Sequence, residues 1–242
     1  MCTVSYIPNA INSNFVLTSN RDEDLNRPTL APMIYNFEKV QLAFPKDERS
    51  GGSWIAMNNK GKINCLLNGG IGFHKKQKYH TISRGTILIE LTKSPLTTRE
   101  FFGGIDLHNV EPFTVVSIQL ENSKVQELLE VIWDGSTKYF RNLDKDEPHI
   151  WSSPQLYSKY QKELRQIWFA DFMRSNQTDL TLEKINEFHS GNHSEDIAIN
   201  VVIERGDVLK TVSITQITSQ NGKFRMSYSD LLRQSRVEVE LY

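Results

Sequence analysis

The 242-residue chain is poor in cysteine, with only Cys2 and Cys65. Two thiols cannot build a disulfide framework, and a reducing compartment would keep both free. No apolar run approaches the roughly 20 residues of a membrane span, so no integral membrane segment is expected. The start, MCTVSYIPNAINSN, lacks a basic region followed by a long apolar stretch. That argues against a secretory signal and makes cytoplasmic localisation the expectation. The glycosylation-like Asn176-Gln177-Thr178 and Asn192-His193-Ser194 are then without consequence. Charge of one sign is missing too. The formal net charge is -1, so the global balance points neither to nucleic acid nor to an anionic membrane as partner. There is no Walker loop, G-x-S-x-G elbow, H-E-x-x-H pair, internal repeat or low-complexity linker.

What is present fits a globular protein built from strands, then helices, then strands. Residues 3–7 and 15–19 are β-prone and flank the turn-rich PNAINSN, which reads as a hairpin. GSWIAMN and KINCLLN form a second hairpin around NKG, with Gly61 suited to a left-handed turn position. Residues 83–93 and 97–102 are helically patterned, with Ile87, Leu88 and Leu91 on one face. FTVVSIQL is a strand, and VQELLEVIWDG and KYFRNL pair after it. Residues 154–174 form the longest helix candidate, starting at Ser153-Pro154. Residues 180–189 form another, whose Thr181-x-x-Lys184 opening lacks a capping box. AINVVIERGDVLKTVSITQIT reads as a hairpin turning at Gly206-Asp207, and FRMSYS and VEVELY add edge strands. Sheets against a helical layer make an α+β arrangement.

Hairpin geometry gathers polar residues. A first turn near residue 11 sets Cys2 opposite Asn20 or Arg21, with a slip of one or two allowed. A second hairpin centred near Lys60 sets Gly51-Gly52 opposite Asn68. Removal of Met1 would leave a free α-amine and a thiol on the same residue. The amine, with a reference pKa of ~7.7–8.0, can take the thiol's proton. A thiol near ~8.5 needs modest help to ionise. Arg21 would favour the thiolate, and Asp22 or Glu23 would hold the ammonium. Asn68 would aim its amide N–H at a developing oxyanion. The plainer reading is an incidental terminal cysteine and a solvated strand end with a local ion pair.

MCTV, NRDED with NRP after it, GGSWIAMNNKGKINCLLN, and the SRG of residues 83–85 together resemble the NRDE family. That family includes the transport and Golgi organisation protein two relatives. The resemblance covers about the first 95 residues well and the remainder loosely. It implies one domain over residues 1–242 with the four-layered α-β-β-α sandwich of the N-terminal nucleophile hydrolases. Cysteine-type conjugated bile salt hydrolases and penicillin V acylases look like its nearest enzymatic relatives. By the same resemblance Cys2 is the nucleophile and Asn68 the oxyanion asparagine. Arg21 and Asp22 lie at the matching strand end, with the choice between Asp22 and Glu23 left open. Asn20, Glu23, Trp54, Ser152 and Ser153 are candidate substrate contacts. Two departures stand out. Ser152-Ser153 replaces a Ser-Asn of the relatives, and HSEDIAINVV lacks their late arginine.

The implied activity is hydrolysis of a non-peptide amide of a small molecule through an acyl-enzyme, with no metal or cofactor required. The alternative is a non-catalytic binding or trafficking module for a hydrophobic small molecule such as haem or a lipid. The remaining features read more plainly. FHKKQKYH is a solvated loop, with contact to an anionic group as its alternative. His189 and His193 lie four apart, but Ser190-Gly191-Asn192 interrupts the helix and zinc needs a third ligand. Cys65 is a small core residue. Trp54, Trp133, Trp151 and Trp168 are core or pocket wall.

Overall fold

Turn chemistry seeds the architecture. In the computed structural model, which describes residues 3–242, Asn9 and Asn12 take positive φ between β1 (Thr3–Pro8) and β2 (Phe15–Asp24). The chain then crosses to a second sheet through β3 (Thr29–Phe37), β4 (Val40–Asp47), β5 (Ile55–Asn58) and β6 (Lys62–Asn68). Gly61, at φ +81, makes the β5–β6 turn. Next come helices α1 (Arg84–Lys93) and α2 (Thr98–Gly104), then β7 (Phe113–Glu121), β8 (Lys124–Trp133), β9 (Lys138–Asn142) and β10 (His149–Ser152). The last third holds α3 (Lys159–Ser175), α4 (Leu182–Ser190), β11 (Glu204–Arg205), β12 (Leu209–Gln220), β13 (Lys223–Asp230) and β14 (Ser235–Leu241).

Two antiparallel sheets result. One runs β10-β1-β2-β12-β13-β14, with β11 paired to β12, and the other runs β3 through β9 in chain order. Side chains alternate across each strand, so each sheet has two buried faces. Val4, Tyr6, Phe15 and Leu17 meet Met57, Ile63, Cys65 and Val116 between the sheets. Leu42 and Leu66 face Leu88, Leu91 and Phe102 of α1 and α2 on one outside. Ile7 and Val16 face Phe169, Ile185 and Phe188 of α3 and α4 on the other. The layers are α-β-β-α, as the resemblance implies.

Several local expectations are corrected. β2 does not stop before NRDED but runs through it to Asp24, because β12 pairs with it to the end, with a register shift between Thr211 and Ser213. The longest helix starts at Lys159, where Ser158 and Gln161 form a capping box, and Ser153-Pro154 lies in a turn before it. Residues 149–152 are a strand that extends the first sheet beyond β1. Gly51 and Gly52 do not pair opposite Asn68; Asn68 pairs with Phe113, and Gly52 packs on Gly85 so closely that a Cβ there would lie 2.5 Å from the Gly85 carbonyl carbon. The late hairpin at Gly206 is only two residues long in β11, and β13 is interior, with β14 at the edge. Thr181 caps α4 from its side chain without a capping box, as expected.

His189 is a fully buried tie between α4 and the first sheet. Its Nδ1 meets Asn20 Oδ1 at 2.6 Å and its Nε2 meets Ser5 Oγ at 2.7 Å. Burial, with a smaller push from His193, lowers its pKa to about 3. His193 itself bonds the Phe188 carbonyl at 2.8 Å. The unfolded imidazole, near 6.5, takes its proton before the folded one does. Stability present above that value is therefore lost as pH falls toward 3, at about 1.4 kcal/mol per unit. Urea midpoints should drop between about pH 7 and pH 4 in the wild type and drop less in His189→Gln. Equal slopes in the two proteins would show that this histidine does not set the acid limit.

Candidate functional site

Alternation along β2 sorts the NRDE residues to opposite sides. Asn20 and Asp22 share the face of Val16, toward the α3–α4 layer; Arg21 and Glu23 share the face of Leu17. Asn20 is spent on structure. Its amide donates to the carbonyls of His189 (2.9 Å) and Val201 (3.1 Å), and its oxygen faces His189. Asp22 accepts from Tyr157 Oη at 2.6 Å and from Thr211 Oγ1 at 2.5 Å. The Tyr157 ring lies under the Arg165 guanidinium (3.6 Å) and beside that of Arg205 (5.1 Å).

Arg21 is 2 % exposed. Its Nη2 donates to Asp47 Oδ2 at 2.7 Å, its Nη1 donates to Thr29, and its guanidinium sits 4.4 Å from the Trp54 ring centroid. Burial lowers the Arg21 pKa, and the nearby Glu23 and Asp47 oppose that shift. Arg27 Nε reaches the same Asp47 oxygen at 2.6 Å, and Glu23 lies 3.7 and 3.6 Å from the two arginines. For Asp47, burial raises the pKa, but bonds from Arg27 and from the Ser50 backbone and hydroxyl outweigh it and hold the carboxylate below its usual range.

Arg21 and Asn68, from hairpins far apart in sequence, line one cavity of about 240 Å³, together with Glu23 and Trp54. Trp54 is 4 % exposed, and its indole N–H has no partner among the described residues. The start of α1, at Ser83, Arg84 and Gly85, also lines this cavity. Gly52 and Gly85 permit that approach, because any Cβ would clash with facing backbone. Arg84, Lys76 and His74 gather around Glu111 at 3.7, 3.7 and 3.2 Å. Ser153 Oγ donates to the Asn68 carbonyl at 2.6 Å, which fixes the end of β6. Ser152 lies elsewhere: it pairs with Thr3 and lines a larger cavity of about 670 Å³. Cys2 lies outside the described residues. Thr3 pairs with Asn20, within the slip allowed for the first hairpin. Cys65 is buried between the sheets, and burial pushes its thiol up to about 12.

Asp47, Arg27, Arg84, Tyr157 and Thr211 were not singled out from the sequence. Asp47 and Tyr157 carry no local signature, since each reaches the site from another sheet or loop. Arg27 and Arg84 fall inside the NRP and SRG motifs. Among the described residues no three His, Cys, Asp or Glu side chains cluster as a metal set.

A family model described as Transport and Golgi organisation 2 matches residues 1–227. A mouse protein, "Transport and Golgi organization 2 homolog", is 24% identical over 133 residues. That match takes in 51% of this chain and 47% of the mouse protein, so the chain spans about half the length of the curated relative it matches. Penicillin V acylase from Agrobacterium tumefaciens superposes with a TM-score of 0.58 at 10% identity, over 99% of this chain and 86% of that one. A variant of conjugated bile acid hydrolase from Clostridium perfringens gives 0.60 at 12%, over 99% and 92%. The Caenorhabditis elegans orthologue of N-acylethanolamine-hydrolyzing acid amidase gives 0.53 at 10%, over 90% and 92%. The fold is that of the N-terminal nucleophile hydrolases.

Removing Asp47 would leave the Arg21 charge buried without its nearest carboxylate. Asp47→Ala should cost about 3–5 kcal/mol in urea unfolding. Glu23→Ala, at a more distant and more exposed partner, should cost less than about 1 kcal/mol. Similar losses for the two variants would contradict this ranking.

Proposed function

The chain belongs to the Transport and Golgi organisation 2 family, and from that membership and its fold we propose that it is a cysteine amidohydrolase acting on a non-peptide amide of a small molecule. The observation that carries the reading is the meeting of Arg21 and Asn68 at one cavity, brought there by the two hairpins of the NRDE-like motifs. The pairing of Thr3 with Asn20 brings the described start of β1 to that end of β2, which supports the choice of Cys2 as nucleophile.

In this mechanism Met1 is removed and the Cys2 α-amine accepts the thiol proton. The thiolate attacks the amide carbonyl carbon, a C–S bond forms, and the carbonyl electrons move onto oxygen. Asn68 donates its side-chain N–H to that oxyanion, and Ser153 keeps the Asn68 backbone fixed while it does so. Collapse of the intermediate breaks the C–N bond, and the leaving amine takes the proton held by the α-amine. Water then cleaves the thioester, releasing the acid and regenerating the thiol. Glu23, on the cavity face beside Arg21, orients the ammonium, because both oxygens of Asp22 are held by hydroxyl donors on the other face of β2. Arg21 and the Trp54 side chain line the substrate side of the cavity. Ser153 acts as a positioning residue for Asn68 here, not as a second oxyanion donor.

Mass spectrometry of the purified protein should find Met1 absent. An alkylating or acylating probe should mark Cys2 and spare Cys65, which burial keeps as a thiol. With aminomethylcoumarin amides of fatty and aryl acids as substrates, Cys2→Ala should abolish turnover. Asn68→Ala should lower kcat by about 10²–10³-fold. Retained Met1, an unreactive Cys2, and haem or lipid binding indifferent to Cys2→Ala would assign the cavity to a binding module instead.

A further inference from the structure

The segment from Gly69 to Gly85 contains no Asp or Glu, yet carries Lys75, Lys76, Lys78 and Arg84, in a chain whose net charge is -1. It also holds Phe73, which at 71% is the most exposed large apolar side chain among the described residues, with Ile71 at 64%, Tyr79 at 51% and Ile82 at 42%. A merely solvated loop needs the lysines but gains nothing from four bared apolar groups. The loop is also held in shape. His74 exchanges backbone bonds with the Gln155 side chain (3.1 and 2.9 Å), and Thr81 N–H donates to the Asn109 carbonyl at 3.1 Å. Ile82 bridges to Val110, and Tyr79 stacks on His108 at 5.6 Å. The apolar side chains are thus presented on a fixed frame.

We propose that the 69–85 loop is a peripheral docking surface for an anionic lipid bilayer, with Ile71 and Phe73 entering the interfacial layer and Lys75 and Lys78 facing lipid headgroups. Charge complementarity selects this occupant. Lysines beside exposed aromatic and aliphatic groups match a surface that is negative outside and apolar beneath. The place in the fold agrees. Ile71 lines the larger cavity, and Lys76, His80 and Ile82 line the one that holds Arg21 and Asn68. A bilayer met by this loop therefore lies at the mouths of both. Docking of this kind does not depend on the chain being an amidohydrolase.

Vesicle flotation tests it with the full chain. Vesicles of phosphatidylcholine with about 30 mol% phosphatidylserine should carry the protein up, and pure phosphatidylcholine should not. Raising ionic strength from about 0.1 M to about 0.5 M should release most of it. The double variant Lys75→Ala, Lys78→Ala should bind about thirtyfold more weakly, and Ile71→Ser with Phe73→Ser should lose binding. All four positions are exposed, so the variants should keep the wild-type melting temperature. Phe73→Trp should add emission, relative to the wild type, that shifts to the blue with anionic vesicles and is quenched by brominated lipid. No flotation, equal binding to both vesicle types, or an unshifted emission from the added indole would overturn the proposal. Self-association lost in the serine variant without vesicle binding would assign the loop to a second copy of the chain.

Discussion

An arginine that is 2 % exposed constrains everything around the cavity. A guanidinium taken out of water must recover its hydration from fixed partners, or the fold bears several kcal/mol. Arg21 recovers it from Asp47, Thr29, Glu23 and the face of Trp54. Arg21 is on β2 in one sheet and Asp47 ends β4 in the other, so the pair ties the sheets at their polar end. Asp47 is in turn held by Ser50, which folds the 48–53 loop back on itself. That fold delivers Gly52 to Gly85 and seats the start of α1 against the cavity. One buried charge thus determines a loop, and the loop positions a helix.

The period of two along β2 then assigns chemistry. Asn20 and Asp22 belong to the helix-facing side, where one bonds His189 and two carbonyls and the other accepts two hydroxyls. Arg21 and Glu23 belong to the cavity side. The two carboxylates left open by the motif are therefore not interchangeable. Glu23 balances arginines at the rim, whereas Asp22 is gripped from behind the strand by Tyr157 and Thr211.

Legibility in the sequence followed the range of the forces involved. Both early hairpins could be read because Asn9, Asn12 and Gly61 mark their turns locally. The β3–β4 pair has no clear sequence signature, since Leu30, Met33, Ile34 and Phe37 on its outer strand are exposed and a register shift between Leu30 and Met33 breaks the alternation. β10 is four residues long and gains its order from β1, more than a hundred residues earlier. Ser153-Pro154 has the look of a helix N-terminus, while the true cap is the Ser158–Gln161 pair. Cavity residues were legible where they sat in motifs. Asp47 in the cavity and Tyr157 behind β2 were not, because only tertiary pairing gives either one its role.

The loop after Asn68 joins these two scales. It leaves the end of β6, where Ser153 holds the Asn68 carbonyl, and returns at the first turn of α1, where Arg84 lines the same cavity. Its interior ties to Gln155 and Asn109 make it a strut, not a tether. A strut transmits position without needing to refold. Whatever surface receives Ile71 and Phe73 would therefore meet the lips of the cavity in the geometry seen here. The loop's own cations that line it, Lys76 and Arg84, are already neutralised in part by Glu111. The charge left over for that surface thus comes chiefly from Lys75 and Lys78, outside the cavity, which separates attraction to a surface from the chemistry inside.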